Sequence, residues 1–287
     1  MKAMYSHAQG ERVRCSLCPH NCVLSARQKG FCGVRINIEG ELHSLNSFKF
    51  TSAALDPIEK KPLSHFRPGS KILSLGSFGC NLACSFCQNS DISKEFDVED
   101  HFVLSTDEVI RKAVYMKRFG NIGVAFTYNE PVVWYETMID IAGECKKNDL
   151  MTVMVTNGYI NQEPLEELLP FIDAMNIDLK AFNDDFYRRV TKGSLAPVLD
   201  TIRTASRMCH VEITTLIIPG LNDSAEEMDR EASFIACVSP DIPLHITRFF
   251  PGYKMTSDLY VPTPVETLES LEKVASKYLR FVSIGNI

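Results

Sequence analysis

Strand-like and helix-like segments alternate along the chain from residue 71 onward. Short apolar runs rich in β-branched residues occupy 72–77, 123–128, 151–156, 174–180, 211–218 and 244–249, and amphipathic stretches separate them. Thr106 is the predicted N-cap of one helix, and a last short strand is predicted at 281–285. Repeated βα units build a parallel sheet covered by helices. The sequence therefore predicts an α/β fold for this part of the chain.

Residues 1–70 do not follow this pattern. They contain four cysteines, several prolines and a predicted hairpin that turns at Glu39 and Gly40. The whole chain of 287 residues, 45% of them hydrophobic, can bury one large core. We predict a cysteine-rich N-terminal cap over residues 1–70 and one α/β unit over residues 71–287.

Composition restricts the location and the partners. The sequence has no run of about 18 apolar residues for a membrane span, and residues 1–15 lack the apolar centre of a secretory signal. Ten cysteines without such a signal indicate metal or redox chemistry in a reducing compartment, so we expect a cytoplasmic protein. A formal net charge of −6 argues against a broad nucleic-acid surface.

Cys80, Cys84 and Cys87, here termed the cysteine triad, form a C-x3-C-x2-C run after the first of these strands. Three thiolates on one loop can bind three irons of a [4Fe-4S] cluster and leave the fourth iron without a protein ligand. That iron can chelate S-adenosylmethionine (SAM), which one electron cleaves to a 5′-deoxyadenosyl radical. The alternatives are a zinc loop or chance clustering, but zinc loops usually draw four ligands as two C-x2-C pairs.

The triad resembles the radical SAM superfamily, and other segments narrow the resemblance. Residues 13–286 look like the radical SAM component of the AmmeMemoRadiSam system, a group akin to pyruvate formate-lyase activating enzymes. The segments that carry this likeness are 15–22, 30–35, 56–63, 86–89, 127–131 and 248–254. The resemblance implies a partial (β/α)6 radical SAM barrel with an N-terminal cysteine-rich cap. Relatives often continue into a tail with a C-P-x-C pair. We expect the role of that tail to be absent here or moved elsewhere.

The resemblance also implies which residues bind SAM, all of them near the carboxyl ends of predicted strands, where barrel active sites lie. At 127–131 relatives carry Gly-Gly-Glu-Pro, which holds the amino group of the SAM methionine. Glu130 keeps that carboxylate, and its alternative is an N-cap role before the next helix. Tyr128 and Asn129 replace the two glycines. We assign Asn129 to SAM and Tyr128 to the substrate.

Further residues are assigned to SAM or to the substrate by the same likeness. Lys180 is placed on the methionine carboxylate with Asp178 beside it; residues two apart on a strand share a face, so an internal ion pair is the alternative. The other assignments are Phe86, Ile217 and Pro219 to the adenine, Thr156 and Asn157 to the ribose and carboxylate, and Arg248 and Tyr253 to the substrate. Loop packing for Phe86, an ordinary Asn-Gly turn for Asn157 and a salt bridge for Arg248 are the alternatives.

A second set of cysteines lies in the predicted cap. Cys15, Cys18, Cys22 and Cys32, here termed the cysteine quartet, have the spacing C-x2-C-x3-C-x9-C. Four thiols suffice for structural zinc or for a complete second iron–sulfur cluster, and the spacing does not choose between them. Four free thiols are the remaining alternative. The isolated Cys145, Cys209 and Cys237 are predicted to be buried thiols.

The leading hypothesis is a radical SAM enzyme of the activating-enzyme kind, which cleaves SAM reductively and abstracts hydrogen from a protein or peptide substrate. Its cofactors are then a [4Fe-4S] cluster and SAM, and its electrons come from a donor such as flavodoxin or ferredoxin. The AmmeMemoRadiSam resemblance implies Memo-like and AMMECR-like partners. The alternatives are a radical SAM enzyme acting on a small molecule or RNA base, and a non-catalytic zinc-binding or electron-transfer module.

Overall fold

The computed structural model describes residues 1–97 and 99–287. Its N-terminal part is built from short strands. These are β1 (Ser6–Gln9), β2 (Arg12–Cys15), β3 (Val23–Leu24), β4 (Arg35–Ile38), β5 (Glu41–Ser44), β6 (Lys49–Phe50) and β7 (Ser52–Pro57). The β4–β5 hairpin turns at Glu39 and Gly40, as predicted, and both residues have the positive φ angles, 52° and 83°, that a tight two-residue turn requires.

The remaining strands, apart from β9, which pairs with β6, build most of the main sheet. They are β8 (Lys71–Gly76), β9 (Phe102–Val103), β10 (Asn121–Phe126), β11 (Met151–Thr156), β12 (Ala174–Asp178), β13 (His210–Ile217), β14 (Leu244–Arg248) and β15 (Val282–Gly285). The sheet order is β15-β14-β13-β12-β11-β10-β8-β7, and every neighbouring pair is parallel except β7–β8. This confirms the predicted α/β class with a mostly parallel sheet. It also shows that β7, from within residues 1–70, forms one edge of that sheet.

Amphipathic helices connect the parallel strands. They are α1 (Ser90–Ser93), α2 (Thr106–Met116), α3 (Tyr135–Lys147), α4 (Gln162–Leu168), α5 (Asp184–Phe186), α6 (Leu195–Ala205), α7 (Ala225–Val238) and α8 (Val265–Ala275). The N-cap of α2 is Ser105, so the prediction of Thr106 was wrong by one residue. Ser105 and Glu108 exchange hydrogen bonds in a capping box, which needs the three-residue spacing that Thr106 lacks.

One hydrophobic core lies between the sheet and its helices and continues into the N-terminal part. Trp134 and Tyr135, at the start of α3, are fully buried there beside residues of β8 and β10. Arg35 of β4 makes a buried ion pair with Glu136 of α3 at 2.7 Å, which fixes the N-terminal segment to the sheet's helices. Among the described residues, no helix is both long and apolar enough to cross a membrane.

Candidate functional site

A cavity with a volume of about 510 Å³ lies at the carboxyl ends of the parallel strands. Most of the predicted site residues line it together. They are the triad Cys80, Cys84 and Cys87 with Phe86 after β8, Tyr128, Asn129 and Glu130 after β10, Thr156 and Asn157 at the end of β11, and Asp178 and Lys180 at the end of β12. Loops from successive strands therefore bring residues that are far apart in sequence to one space.

The triad loop is fixed by its backbone and surrounds its cysteines with polar donors. Ala83 donates its N–H to the carbonyl of Thr191 at 2.8 Å, which anchors the middle of the loop. The Sγ of Cys80 accepts hydrogen bonds from the backbone N–H of Leu82 at 3.4 Å and from the side-chain amide of Asn157 at 3.7 Å. Donors to a ligating sulfur stabilise its thiolate form and tune a bound cluster.

The triad thiols form no site for a single metal ion in the part of the chain that the structure describes. In residues 1–97 and 99–287, no three His, Cys, Asp or Glu side chains meet as ligands of a single metal ion. A [4Fe-4S] cluster makes a different demand, because each sulfur binds its own iron. Burial raises the pKa of the Cys80 thiol above its ordinary range and that of Cys84 to about 11. Thiolates are the form that ligates iron, so binding a cluster would release the protons of these thiols.

Glu130 is buried, and its carboxylate is already bound within the protein. It accepts hydrogen bonds from the hydroxyl of Thr156 at 2.7 Å, from the backbone N–H of Asn157 at 2.8 Å and from that of Val132 at 3.0 Å. The last bond is the N-cap contact considered as the alternative. Burial raises the pKa of Glu130 to about 7, against the effect of these donors. Its contact with SAM stays a prediction.

Asp178 and Lys180 form an ion pair that still faces the cavity. Their Oδ2 and Nζ atoms are 2.8 Å apart, and their side chains remain 32% and 16% exposed. Burial disfavours the Lys180 ammonium, but the neighbouring Asp178 carboxylate outweighs this effect and raises the pKa of Lys180. An ammonium has three donors, so the pair leaves Lys180 free to bind a second carboxylate. The ion pair and the predicted ligand role are thus compatible.

Tyr128 and Asn129 take positions that the likeness assigns to glycines in relatives. Tyr128 has a φ of 71°, the left-handed conformation that glycine adopts freely. Its ring packs on Gly76, where an added Cβ would lie 2.8 Å from the ring. Asn129 accepts from the backbone N–H of Ser77 and donates to the carbonyl of Gly79, each at 2.9 Å. Asn129 thus fixes the exit of β8, which carries the triad loop.

A charged cluster beside the cavity was not predicted. Asp56 accepts hydrogen bonds from Lys61 at 2.8 Å, from the Tyr128 hydroxyl at 2.5 Å and from Lys60 at 3.0 Å. Burial opposes ionisation of Asp56, but these donors prevail and hold its pKa well below its usual range. Both lysines line the cavity. The segment 56–63 carries part of the likeness to relatives. The hydrogen bond between Asp56 and Tyr128 joins residues far apart in the chain, and such a contact leaves no signal in a single sequence.

Four predicted residues do not line this cavity. Ile217 lies in the core, and Thr214 and Leu216 of the same strand face the cavity instead, because side chains alternate along a strand. Pro219 also lies outside the lining. Arg248 donates to the carbonyl of Thr263 at 2.8 Å and lies over the ring of Phe250, while Tyr253 is covered by Lys254. Their ligand and substrate roles stay predictions.

The cysteine quartet surrounds a second, narrow cavity. Its lining consists of Cys15, Cys18, Cys22 and Cys32 together with Leu17, Gly30, Phe31, Arg35, Val132 and Val133. Cys15 and Cys32 are buried, whereas Cys18 and Cys22 are partly exposed. The four thiols therefore line one cavity, and the metal centre expected there stays a prediction. Of the isolated cysteines, which were all predicted to be buried, Cys145 is buried, Cys209 is partly exposed and Cys237 is exposed on α7.

Comparisons with known proteins point to the superfamily that the cysteine triad resembles. The profile of the radical SAM superfamily matches residues 75–232. An uncharacterised protein of Methanocaldococcus jannaschii is 40% identical over 99% of this chain and 84% of its own length. The pyruvate formate-lyase-activating enzyme of Clostridium pasteurianum is 30% identical over 55% of this chain and 66% of its own length. The crystal structure of Streptococcus suis SuiB bound to S-adenosylmethionine shares the fold, with a TM-score of 0.57 and 15% identity over 72% of this chain and 48% of that one.

Proposed function

Because the chain belongs to the radical SAM superfamily, as its cysteine spacing predicted, we propose that it cleaves SAM reductively and abstracts hydrogen from a protein or peptide substrate. Membership of the superfamily implies a [4Fe-4S] cluster and SAM. When bound, they supply one chemistry: a single electron breaks the sulfur–C5′ bond of SAM and gives a 5′-deoxyadenosyl radical. The observation that carries the proposal is that the triad, Glu130 and Lys180 line one cavity.

The chain's own residues have the charges that this cofactor pair requires. The triad would hold three irons and leave the fourth for SAM. Lys180 would bind the methionine carboxylate, while Asp178 keeps the ammonium charged and directed into the cavity. Glu130 would attract the methionine ammonium. Thr156 and Asn157 orient the Glu130 carboxylate through the hydrogen bonds that they donate to it.

A protein or peptide substrate is supported by the relatives. The Clostridium pasteurianum relative is named as an activator of another enzyme, pyruvate formate-lyase. We propose the same class of substrate here, with Tyr128, Arg248 and Tyr253 as its contacts. We further propose a one-electron donor such as flavodoxin or ferredoxin and a cytoplasmic location. We also propose Memo-like and AMMECR-like partners. The last of these rests on the AmmeMemoRadiSam resemblance of the sequence.

The test is 5′-deoxyadenosine formation by the anaerobically reconstituted protein with SAM and dithionite. The wild type should form it and show the broad visible absorbance of an iron–sulfur cluster. Replacing all three triad cysteines by alanine should abolish product formation, because the irons then have no ligands on this loop. Cys237→Ala is the matched control and should retain activity, since this thiol lies exposed on α7. Product formation by the triple variant at the wild-type level would refute the proposal.

A further inference from the structure

We propose that the cysteine quartet holds a second [4Fe-4S] cluster, which passes single electrons to the cluster on the triad. The destination of the electron rests on the proposed function. The second metal site does not, because it is argued from contacts of residues outside the SAM cavity. All four irons of such a cluster would carry protein thiolates, so it has no open position for SAM. Electron transfer is the chemistry that remains to it.

The ligand set of the second cavity suits a soft metal centre. Four thiols line it, and the other lining residues are apolar or glycine except for Arg35. Thiolates select iron–sulfur clusters, zinc or copper(I), whereas carboxylate and water ligands suit magnesium, calcium or manganese. Cys15 and Cys32 are buried, and Cys18 and Cys22 are only partly exposed. The site is therefore built for thiolate ligation rather than for four exposed free thiols.

Arg35 supplies an independent observation at the same place. Its side chain is 2% exposed and lines the cavity, and within the described residues its Nε–H has no hydrogen-bond acceptor. Its terminal nitrogens bind Glu136 and the carbonyl of Met4. A buried N–H without an acceptor costs about 1–3 kcal/mol. A sulfur of an anionic cluster would accept this N–H, and the guanidinium would offset the negative charge of the centre.

In the described residues, the quartet thiols do not form a ready-made zinc site. Zinc needs four sulfurs, each about 2.3 Å from one ion, and no such single-ion site is formed by the described residues. The triad, whose cluster the superfamily implies, shows the same absence. The space between the quartet thiols is about 20 Å³, little more than one water molecule occupies. Cys18 and Cys22, the partly exposed pair, would therefore rotate outward to admit a cluster.

The two cysteine loops touch each other, which a purely structural metal staple would not require. An added Cβ at Gly79, next to the triad, would lie 2.9 Å from the carbonyl oxygen of Cys32. His20, inside the quartet loop, lies with its Nε2 2.7 Å from the carbonyl oxygen of Asn81, the residue after Cys80. A single hydrogen bond thus connects the loop of one centre to the loop of the other.

A second contact joins the loops near Cys32. Phe31 stacks on His20 with ring centres 4.1 Å apart. The ammonium of Lys94 lies over the Phe31 ring, 4.8 Å from its centre. Lys94 also donates to the carbonyl of Cys80 at 2.7 Å. In the proposed step, a one-electron carrier of the flavodoxin or ferredoxin class loses one electron to the second cluster. That cluster passes the same electron on and returns to its starting state.

The metal site is tested on the variant in which all three triad cysteines are alanine, because it removes the other cluster. After anaerobic reconstitution we expect about four irons and four sulfides per chain, and an electron paramagnetic resonance (EPR) signal after reduction. A variant lacking all seven cysteines is the control and should retain none. About one zinc, or neither metal, in the folded triad variant would overturn the proposal. Failure to cleave SAM in the wild type would leave this metal count unaffected.

The electron path is tested with His20→Ala, which removes the bond to Asn81 but no thiol ligand. We expect unchanged iron content and a several-fold slower reduction of the triad cluster by a reduced ferredoxin, followed by freeze-quench EPR. His43→Ala is the matched control, since His43 lies on the β4–β5 hairpin and should leave the rate unchanged. Equal reduction rates in wild type and His20→Ala, with both clusters assembled, would show that no electron passes this way.

Discussion

The buried ion pair between Arg35 and Glu136 offers the sharpest test of how the N-terminal segment is held. Arg35 Nη2 donates to both carboxylate oxygens of Glu136, at 2.7 and 2.9 Å, and the backbone N–H of Met4 donates to the same carboxylate at 2.8 Å. Glu136→Gln keeps the size of the side chain and removes its charge. The Arg35 guanidinium would then remain buried without its carboxylate partner.

The expected loss can be worked from this burial. Removing one partner of a buried ion pair costs about 3–5 kcal/mol, because the remaining charge is left uncompensated. For domains of this size, 1 kcal/mol lowers the melting temperature by about 2–4 °C. Glu136→Gln should therefore lower the melting temperature by about 6–20 °C. A loss of about 3–5 kcal/mol is a large part of the free energy of unfolding of a typical protein.

Two comparisons make the result decisive in thermal unfolding followed by circular dichroism. Glu41→Gln breaks the exposed pair of Lys2 and Glu41, whose side chains are 66% and 53% accessible, and should have a much smaller effect. Replacing Arg35 and Glu136 together by methionine removes both charges and should recover much of the loss. If Glu136→Gln unfolds no earlier than Glu41→Gln, the reasoning from burial is wrong.

Two further predictions concern charged groups elsewhere. Lys180→Ala should weaken SAM binding in equilibrium dialysis more than it lowers the melting temperature, because Lys180 retains free donors toward the cavity; unchanged affinity with a large stability loss would favour a purely internal ion pair. Burial raises the pKa of Glu231 in α7 to about 8, so its stabilising protonation is complete below the unfolded pKa of about 4.3 and is lost as the pH rises through 8. Glu231→Gln should remove this pH dependence in urea unfolding at pH 5 and 8.5, and parallel pH profiles for the two proteins would contradict the assignment.

Local sequence signals predicted most of the fold. The parallel strands appear where β-branched runs stand, because such residues suit a buried pleated surface. Strand β7 was not predicted, since its sequence, Ser-Ala-Ala-Leu-Asp-Pro, has no β-branched residue and it takes its place only by pairing with β8. Its position depends on a partner strand, and no local pattern reveals such a partner.

The candidate site was predictable where residues follow strands and not where they pair across the chain. The triad was identified by its C-x3-C-x2-C spacing, and Lys180 by its place beside Asp178 at a strand's carboxyl end. The bond between Asp56 and Tyr128 joins residues 72 positions apart. The choice between Ile217 and Leu216 depends on which face of β13 turns inward. Val211 to Thr214 alternate apolar and polar, but the alternation breaks at Thr215 and Leu216, so the sequence does not settle the choice.

The contact at Gly79 limits how far the chain can be treated as modular. Any side chain at this position would collide with Val34, 2.6 Å from an added Cβ, as well as with the Cys32 backbone. The N-terminal segment is thus a wall of the loop that carries the triad rather than an appendage beside it. A shortened protein that began at β8 would lose that wall together with the antiparallel edge strand β7. Transplanting this barrel onto another N-terminal segment would require the receiving segment to reproduce the backbone contact at Gly79.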